Sequence, residues 1–99
     1  MTTVSTEEEG VSLAKGLVEG GLAACVQVLP RMRSIYRWKG EVQEDGEHLL
    51  LIKTAAEKFA AVEEYLKANH SYDVPEIVAL PASYVSDGYL KWVAESLGL

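Results

Sequence analysis

Apolar residues recur at helical spacing in three stretches of the chain and crowd into short runs in four others. Thr2 to Ser5 reads as a short strand. Ser5-x-x-Glu8 and Thr6-x-x-Glu9 are overlapping capping boxes, so a helix starts there, with Leu13, Ala14, Leu17 and Val18 on its apolar stripe. Gly20-Gly21 supplies its stop. Gly10 and Gly16 inside it each cost about 1 kcal/mol against alanine, so tertiary packing has to hold this helix. Leu22 to Leu29 reads as a strand buried on both faces, bent or interrupted by Pro30 and continued by Arg33 to Lys39. There the residues alternate, Tyr36 and Trp38 on one face and Ile35 and Arg37 on the other. Glu44-Asp45-Gly46 carries a turn signal, and Lys39-Gly40 a bulge or second turn.

His48 to Lys53 returns as a strand whose four consecutive apolar residues place it inside the sheet. Thr54-x-x-Glu57 is another capping box, opening a helix that buries Phe59, Val62, Tyr65 and Leu66, with Asn69 as its C-cap. Glu76 to Leu80 forms the next strand, ended by Pro81. Ser86 caps a last helix with Leu90, Val93 and Leu97 on one face. The order β-α-β-β-α-β plus a terminal helix is the split βαβ, a ferredoxin-like α+β sandwich with its helices on one face of the sheet.

Ninety-nine residues make one domain, residues 1–99. A monomer of this size buries only about 60–65% of its unfolded surface, so assembly would help it. The net charge of −6 turns away nucleic acid and anionic membrane, whose phosphates it repels, and leaves cations or a partner's basic patch as acceptable company. Cys25 is the only cysteine, so no intrachain disulfide forms, which fits a reducing cytoplasm. The N-terminal residues lack the basic and apolar regions of a signal peptide, and no apolar run reaches the roughly 18 residues of a membrane span.

The candidate metal ligands are Cys25, His48, His70, Asp73, Glu76 and the acidic stretch Glu41, Glu44, Asp45, Glu47. None falls at CxxC, HxxxH or EF-hand spacing, so a rigid metal centre is not expected and no cofactor is required. Loose binding of Cu(II) or another divalent cation at the His70 imidazole is left open. Neither a nucleophile elbow nor a phosphate-binding glycine loop is present, and nothing in the sequence makes the carboxylates of Asp73 and Glu76 converge, so an enzyme is not expected. Binding fits better. Tyr36, Trp38, Lys53, Tyr72 and Glu76 supply aromatic walls and an opposed charge pair, the makings of a small-ligand cleft or a subunit interface. The expectation is that Lys53 and Glu76 come within salt-bridge reach, in one subunit or across a contact, and that at least two of the three aromatics line one concavity.

Five motifs in order carry a family resemblance: Gly21-Leu22-Ala23-Ala24-Cys25-Val26, Ser34-Ile35-Tyr36-Arg37-Trp38-Lys39-Gly40-Glu41, Leu51-Ile52-Lys53-Thr54, His70-Ser71-Tyr72-Asp73-Val74-Pro75-Glu76-Ile77 and Tyr89-Leu90-Lys91-Trp92. Together they resemble the CutA family of divalent-cation tolerance proteins. The resemblance implies a ferredoxin-like subunit in a tight homotrimer similar to the PII signalling trimers, with sheet edges of neighbouring subunits paired and a long hairpin reaching across. It implies a role in tolerance of copper and other divalent cations, exerted by binding. Three departures stand out: a shorter run before the first strand, His70-Ser71-Tyr72 where the family usually has His-Pro-Tyr, and Thr2 and Asn69 at two positions where a bacterial member has copper ligands, which leaves His70 alone of that set. A PII-like sensor of a small anionic or nucleotide ligand, and a purely structural trimeric module, are the alternatives.

Overall fold

The first helix begins where its sequence says it should. In the computed structural model, which describes Met1–Leu99, the strand β1 (Thr2–Val4) leads into α1 (Glu7–Glu19). The Thr6 hydroxyl accepts the Glu9 N–H at 3.2 Å, so the second capping box supplies the cap. Its other half is not made, because the Glu9 carboxylate crosses to a different element. At the far end Gly21 takes φ +71°, with Leu22 N–H donating to Leu17 O and Gly21 N–H to Val18 O. This Schellman pattern reverses the chain into β2 (Cys25–Val28).

The two glycines that weaken α1 are where neighbours approach most closely. A Cβ at Gly10 would lie 3.2–3.3 Å from Val4, Val28 and Leu50 of the sheet, and one at Gly16 would collide with the Tyr65 hydroxyl. The helix gives up propensity to sit tightly on its neighbours.

β3 (Met32–Trp38) and β4 (Glu41–Lys53) form a hairpin closed by Lys39 and Gly40, whose φ values of 51° and 81° give a two-residue turn matched to strand twist. The expected turn at Glu44-Asp45-Gly46 is therefore not there. Those residues run within β4, opposite Ile35, Ser34 and Arg33. Only Lys39-Gly40 supplies positive φ at two successive positions. Gly46 serves close approach instead, since a side chain there would strike the Arg31 guanidinium.

β4 is the spine of the sheet. Its outer part pairs with β3, while its inner part lies between β1 and β2, with Thr2 opposite Leu50 and Val28 opposite Leu50 on the other side. All these pairings are antiparallel. The strand expected over Leu22–Leu29 shortens to Cys25–Val28 and is only half buried, because the helices cover one sheet face.

The Thr54 box does not cap. Its hydroxyl donates to Leu22 O at 2.7 Å, and a turn of 3₁₀ helix over Ala56–Lys58 precedes α2 (Phe59–Asn69). α1 and α2 enclose the main core of Val4, Leu13, Leu17, Ala23, Leu50, Val62 and Leu66.

The last strand of the expected order is missing. Glu76–Leu80 runs extended beside β1, yet only Met1 and Val78 exchange both backbone bonds, at 2.7 and 3.2 Å. That is the position the ferredoxin-like order requires, but the pairing stops at Met1 and Val78, and the Thr3 carbonyl of β1 is taken by His70. α3 (Asp87–Ser96) rests through Val93 and Leu97 on Ala24, leaving Leu90 54% exposed rather than packed.

Candidate functional site

The loop after α2 is held from three sides. The His70 side chain is fully buried. Its Nε2–H donates to Thr3 O in β1 at 2.8 Å, and Nδ1 accepts the Tyr72 N–H at 3.0 Å, a pair of partners that assigns the ring proton to Nε2. The Tyr72 ring packs on the imidazole with centroids 4.8 Å apart, and its hydroxyl donates to Glu47 in β4 at 2.8 Å. Glu9 reaches over from α1, accepting the Ser71 N–H and hydroxyl at 2.9 Å each. Alongside, the Tyr36 hydroxyl donates to Asp45 across the hairpin.

These contacts set the state of both phenols. Tyr72 is pushed well above the usual phenol range, first by burial, then by its bond to Glu47, with the charges of Glu47 and Glu9 adding. Tyr36 is raised chiefly by its bond to Asp45, then by burial and the charges of Asp45 and Glu47. A phenolate beside these carboxylates is disfavoured, so both tyrosines remain donors through neutral pH.

The structure brings Tyr36, Tyr72 and His70 into one neighbourhood and leaves the other expected residues outside it. Trp38 lies at the turn end of β3, 49% exposed. Lys53 ends β4 opposite Cys25, with its ammonium 5.5 Å from the ring centroid of Tyr89 in α3. Glu76 is exposed beside β1, where its charge acts on the Met1 ammonium; burial lowers that group and Glu76 opposes the shift. The expected Lys53–Glu76 pair is not made within the chain. The reason is topological: β1 stands between β4, which carries Lys53, and the extended segment carrying Glu76.

Glu9 and Ser71 were not among the expected site residues, and Asp45 and Glu47 were weighed only as metal ligands, not as partners of the two tyrosines. Glu9 reads as a capping residue, and Asp45 and Glu47 read as part of an acidic turn, so nothing local marks them as partners of the loop. The tyrosine at 89 sits in a family motif, but its stacking on Lys53 depends on where α3 docks.

As a cation site the cluster is poorly furnished within the chain. Both His70 nitrogens are taken by backbone groups, and the Glu9 carboxylate lies 3.8 Å from Nδ1 while occupied by Ser71. His48 is committed too, its Nδ1–H donating to Leu29 O at 3.0 Å. Thr2 is buried with its hydroxyl unpartnered, and no group of three or more His, Cys, Asp or Glu side chains converges to hold an ion.

Comparison with known proteins settles the lineage. The family described as CutA1 divalent ion tolerance protein matches residues 1–96. The chain belongs to the CutA1 family. It is 51% identical over 98 residues to the divalent-cation tolerance protein CutA of Thermus thermophilus, covering 99% of this chain and 95% of that one. It is 47% identical over 94 residues to the chloroplastic protein CutA of Arabidopsis thaliana, covering 95% of this chain but only 52% of the plant protein. Among solved structures, the Thermus CutA1 superposes with a TM-score of 0.93 at 52% identity, covering 96% of this chain and 92% of that one. The periplasmic divalent cation tolerance protein CutA of Archaeoglobus fulgidus superposes with a TM-score of 0.94 at 36% identity, covering 97% and 93%. The CutA1 structures share the α+β arrangement described above, and the family is named for cation tolerance, not for a reaction. No helix of the chain is long and apolar enough to cross a membrane.

Proposed function

We propose that this CutA1-family chain works as a homotrimer in divalent-cation tolerance, copper included, acting by binding rather than by catalysis, and that it does so in the cytoplasm. The observation that carries the reading is the pair of open sheet edges. On one side β2 and β3 bond only to β4, so their outer edge is free. On the other, the extended segment past Val74 bonds to Met1 alone and leaves Val78 43% and Leu80 71% exposed. Unpaired apolar edges recruit strands, and joining two different edges head to tail makes a ring when the rotation between neighbours closes. Three is the number that the family resemblance implies.

Charge favours the same union. With Arg33 paired to Glu44, Arg31, Arg37 and Lys39 still line β3 and its approaches, whereas residues 72–90 carry Asp73, Glu76 and Asp87 and no lysine or arginine. The hairpin is apolar on both faces, with Ile35 68% and Val42 65% exposed on one and Tyr36 41% and Trp38 49% on the other. Cover on both faces suits a hairpin reaching between neighbours. The lone Cys25 supports a reducing compartment.

Cation binding in this reading is weak and uses the His70 imidazole, with carboxylates or water completing the shell. It has to displace the Tyr72 N–H from Nδ1 or the Thr3 carbonyl from Nε2. Sedimentation equilibrium at micromolar concentration is expected to return three times the chain mass, and a monomer there refutes the assembly. Cu(II) titration of the parent and of His70→Ala is expected to show weak saturable binding that the substitution removes. Unchanged binding by His70→Ala refutes that ligand, and a thermal shift with a small anion but none with divalent cations would favour the PII-like sensor.

A further inference from the structure

The body of the subunit ends at α2, and the chain that leaves it is mostly exposed through Trp92. Ile77 packs on the core, and Met1 with Val78 makes one backbone pair; these are the arm's few ties to the body before α3. Its direction is therefore decided where it starts, at the loop Ser71-Tyr72. That loop is fastened to three elements at once. Glu9 takes both Ser71 donors from α1, His70 ties the loop to Thr3 in β1, and the Tyr72 hydroxyl ties it to Glu47 in β4.

We infer that this set of bonds is an aiming clamp for the arm, and that Glu9 is a positioning residue for assembly. The inference rests on the trimer reading given above and adds to it the residue that presents the arm to its neighbour. Three features support the assignment. Glu9 lies 62 residues from Ser71, so the contact is tertiary and does nothing for the helix that carries it. Glu9 is available because Thr6 caps the helix without help from the Glu9 carboxylate. Both bonds run from loop donors to a carboxylate in the first turn of α1, where the helix dipole favours negative charge, and bonds of this type are the stronger class.

The test compares the parent with Glu9→Ala, Glu9→Gln and Ser71→Ala. Sedimentation on dilution reads assembly, and amide hydrogen exchange reads the loop. Glu9→Ala is expected to weaken assembly by about ten- to a hundredfold, the factor equivalent to one charge-assisted hydrogen bond. Exchange at the Ser71 and Tyr72 amides should accelerate by a similar factor, while the Leu17 and Leu50 amides stay protected. A general loss of stability would move all four, so the pattern separates aiming from folding. Glu9→Gln should fall between parent and Glu9→Ala, since its carboxamide oxygen still accepts from Ser71. Ser71→Ala, which keeps the N–H bond, should act in the same direction but less, and it carries the test if Glu9→Ala does not fold. Parent-like assembly and parent-like Ser71 exchange in Glu9→Ala overturn the inference. A monomeric parent whose loop still loosens in Glu9→Ala would leave the clamp standing and remove the trimer.

Discussion

Two leucines fifty and eighty residues along the chain live by opposite rules. Leu50 sits in the middle of the sheet under α1 and is wholly buried, whereas Leu80 lies on the arm and is 71% exposed. The same division runs through the molecule. Val4, Leu17 and Leu66 are wholly buried between helices and sheet, while Ile35, Val42, Trp38 and Tyr84 stand out on the hairpin and arm. The body satisfies its apolar residues within one chain. The periphery spends apolar residues on surfaces that a single chain cannot cover, and such surfaces mark interaction sites. Stability and assembly should therefore be separable by mutation.

The largest effect belongs to the body. Leu50→Ala removes a wholly buried side chain and should cost about 2–5 kcal/mol of subunit stability, read by urea unfolding. Leu80→Ala on the arm should leave subunit unfolding within about 0.5 kcal/mol of the parent and, if the proposed trimer forms, weaken it on dilution. A loss of subunit stability in Leu80→Ala comparable to that in Leu50→Ala would erase the distinction.

A middle-sized effect tests where body and periphery meet. Tyr72 and Tyr36 have folded pKa values raised above the ordinary 10, so the folded state holds their protons more tightly than the unfolded chain. The stability they contribute is complete below pH 10 and is lost as the pH climbs through their folded values. Ultraviolet titration of the folded parent should show a phenol ionising well above pH 10 that Tyr72→Phe removes. A Tyr72→Phe titration curve that loses its phenol from the region around pH 10 instead would contradict the bond to Glu47.

The smallest effect lies on the hairpin. Arg33 and Glu44 pair at 2.9 Å with both side chains more than half exposed, so Glu44→Gln should change subunit stability by less than about 1 kcal/mol, and by less still in high salt. A larger cost at equal assembly would show that the hairpin contributes to the body.

Much of this was legible along the chain. Residues 6, 13, 17, 62 and 66 announce their helices because capping and helical periodicity are local properties. The Lys39-Gly40 turn competed with Glu44-Asp45-Gly46 on composition alone, and only the strand register decided it. The sequence by itself determined the order of elements through α2, the buried residues Leu13, Leu17, Val62 and Leu66 of α1 and α2, and the family, since the motifs that carry the resemblance are read without coordinates. Tertiary structure decided what Glu9, Thr54 and Gly16 are for. A carboxylate or hydroxyl at a helix start has two uses, capping its own backbone or bonding another element, and which one it takes depends on what lies within about 3 Å in space. It also decided that Lys53 faces Tyr89 and not Glu76, because the sheet order puts β1 between them, and strand order is a long-range pairing that no window of sequence contains.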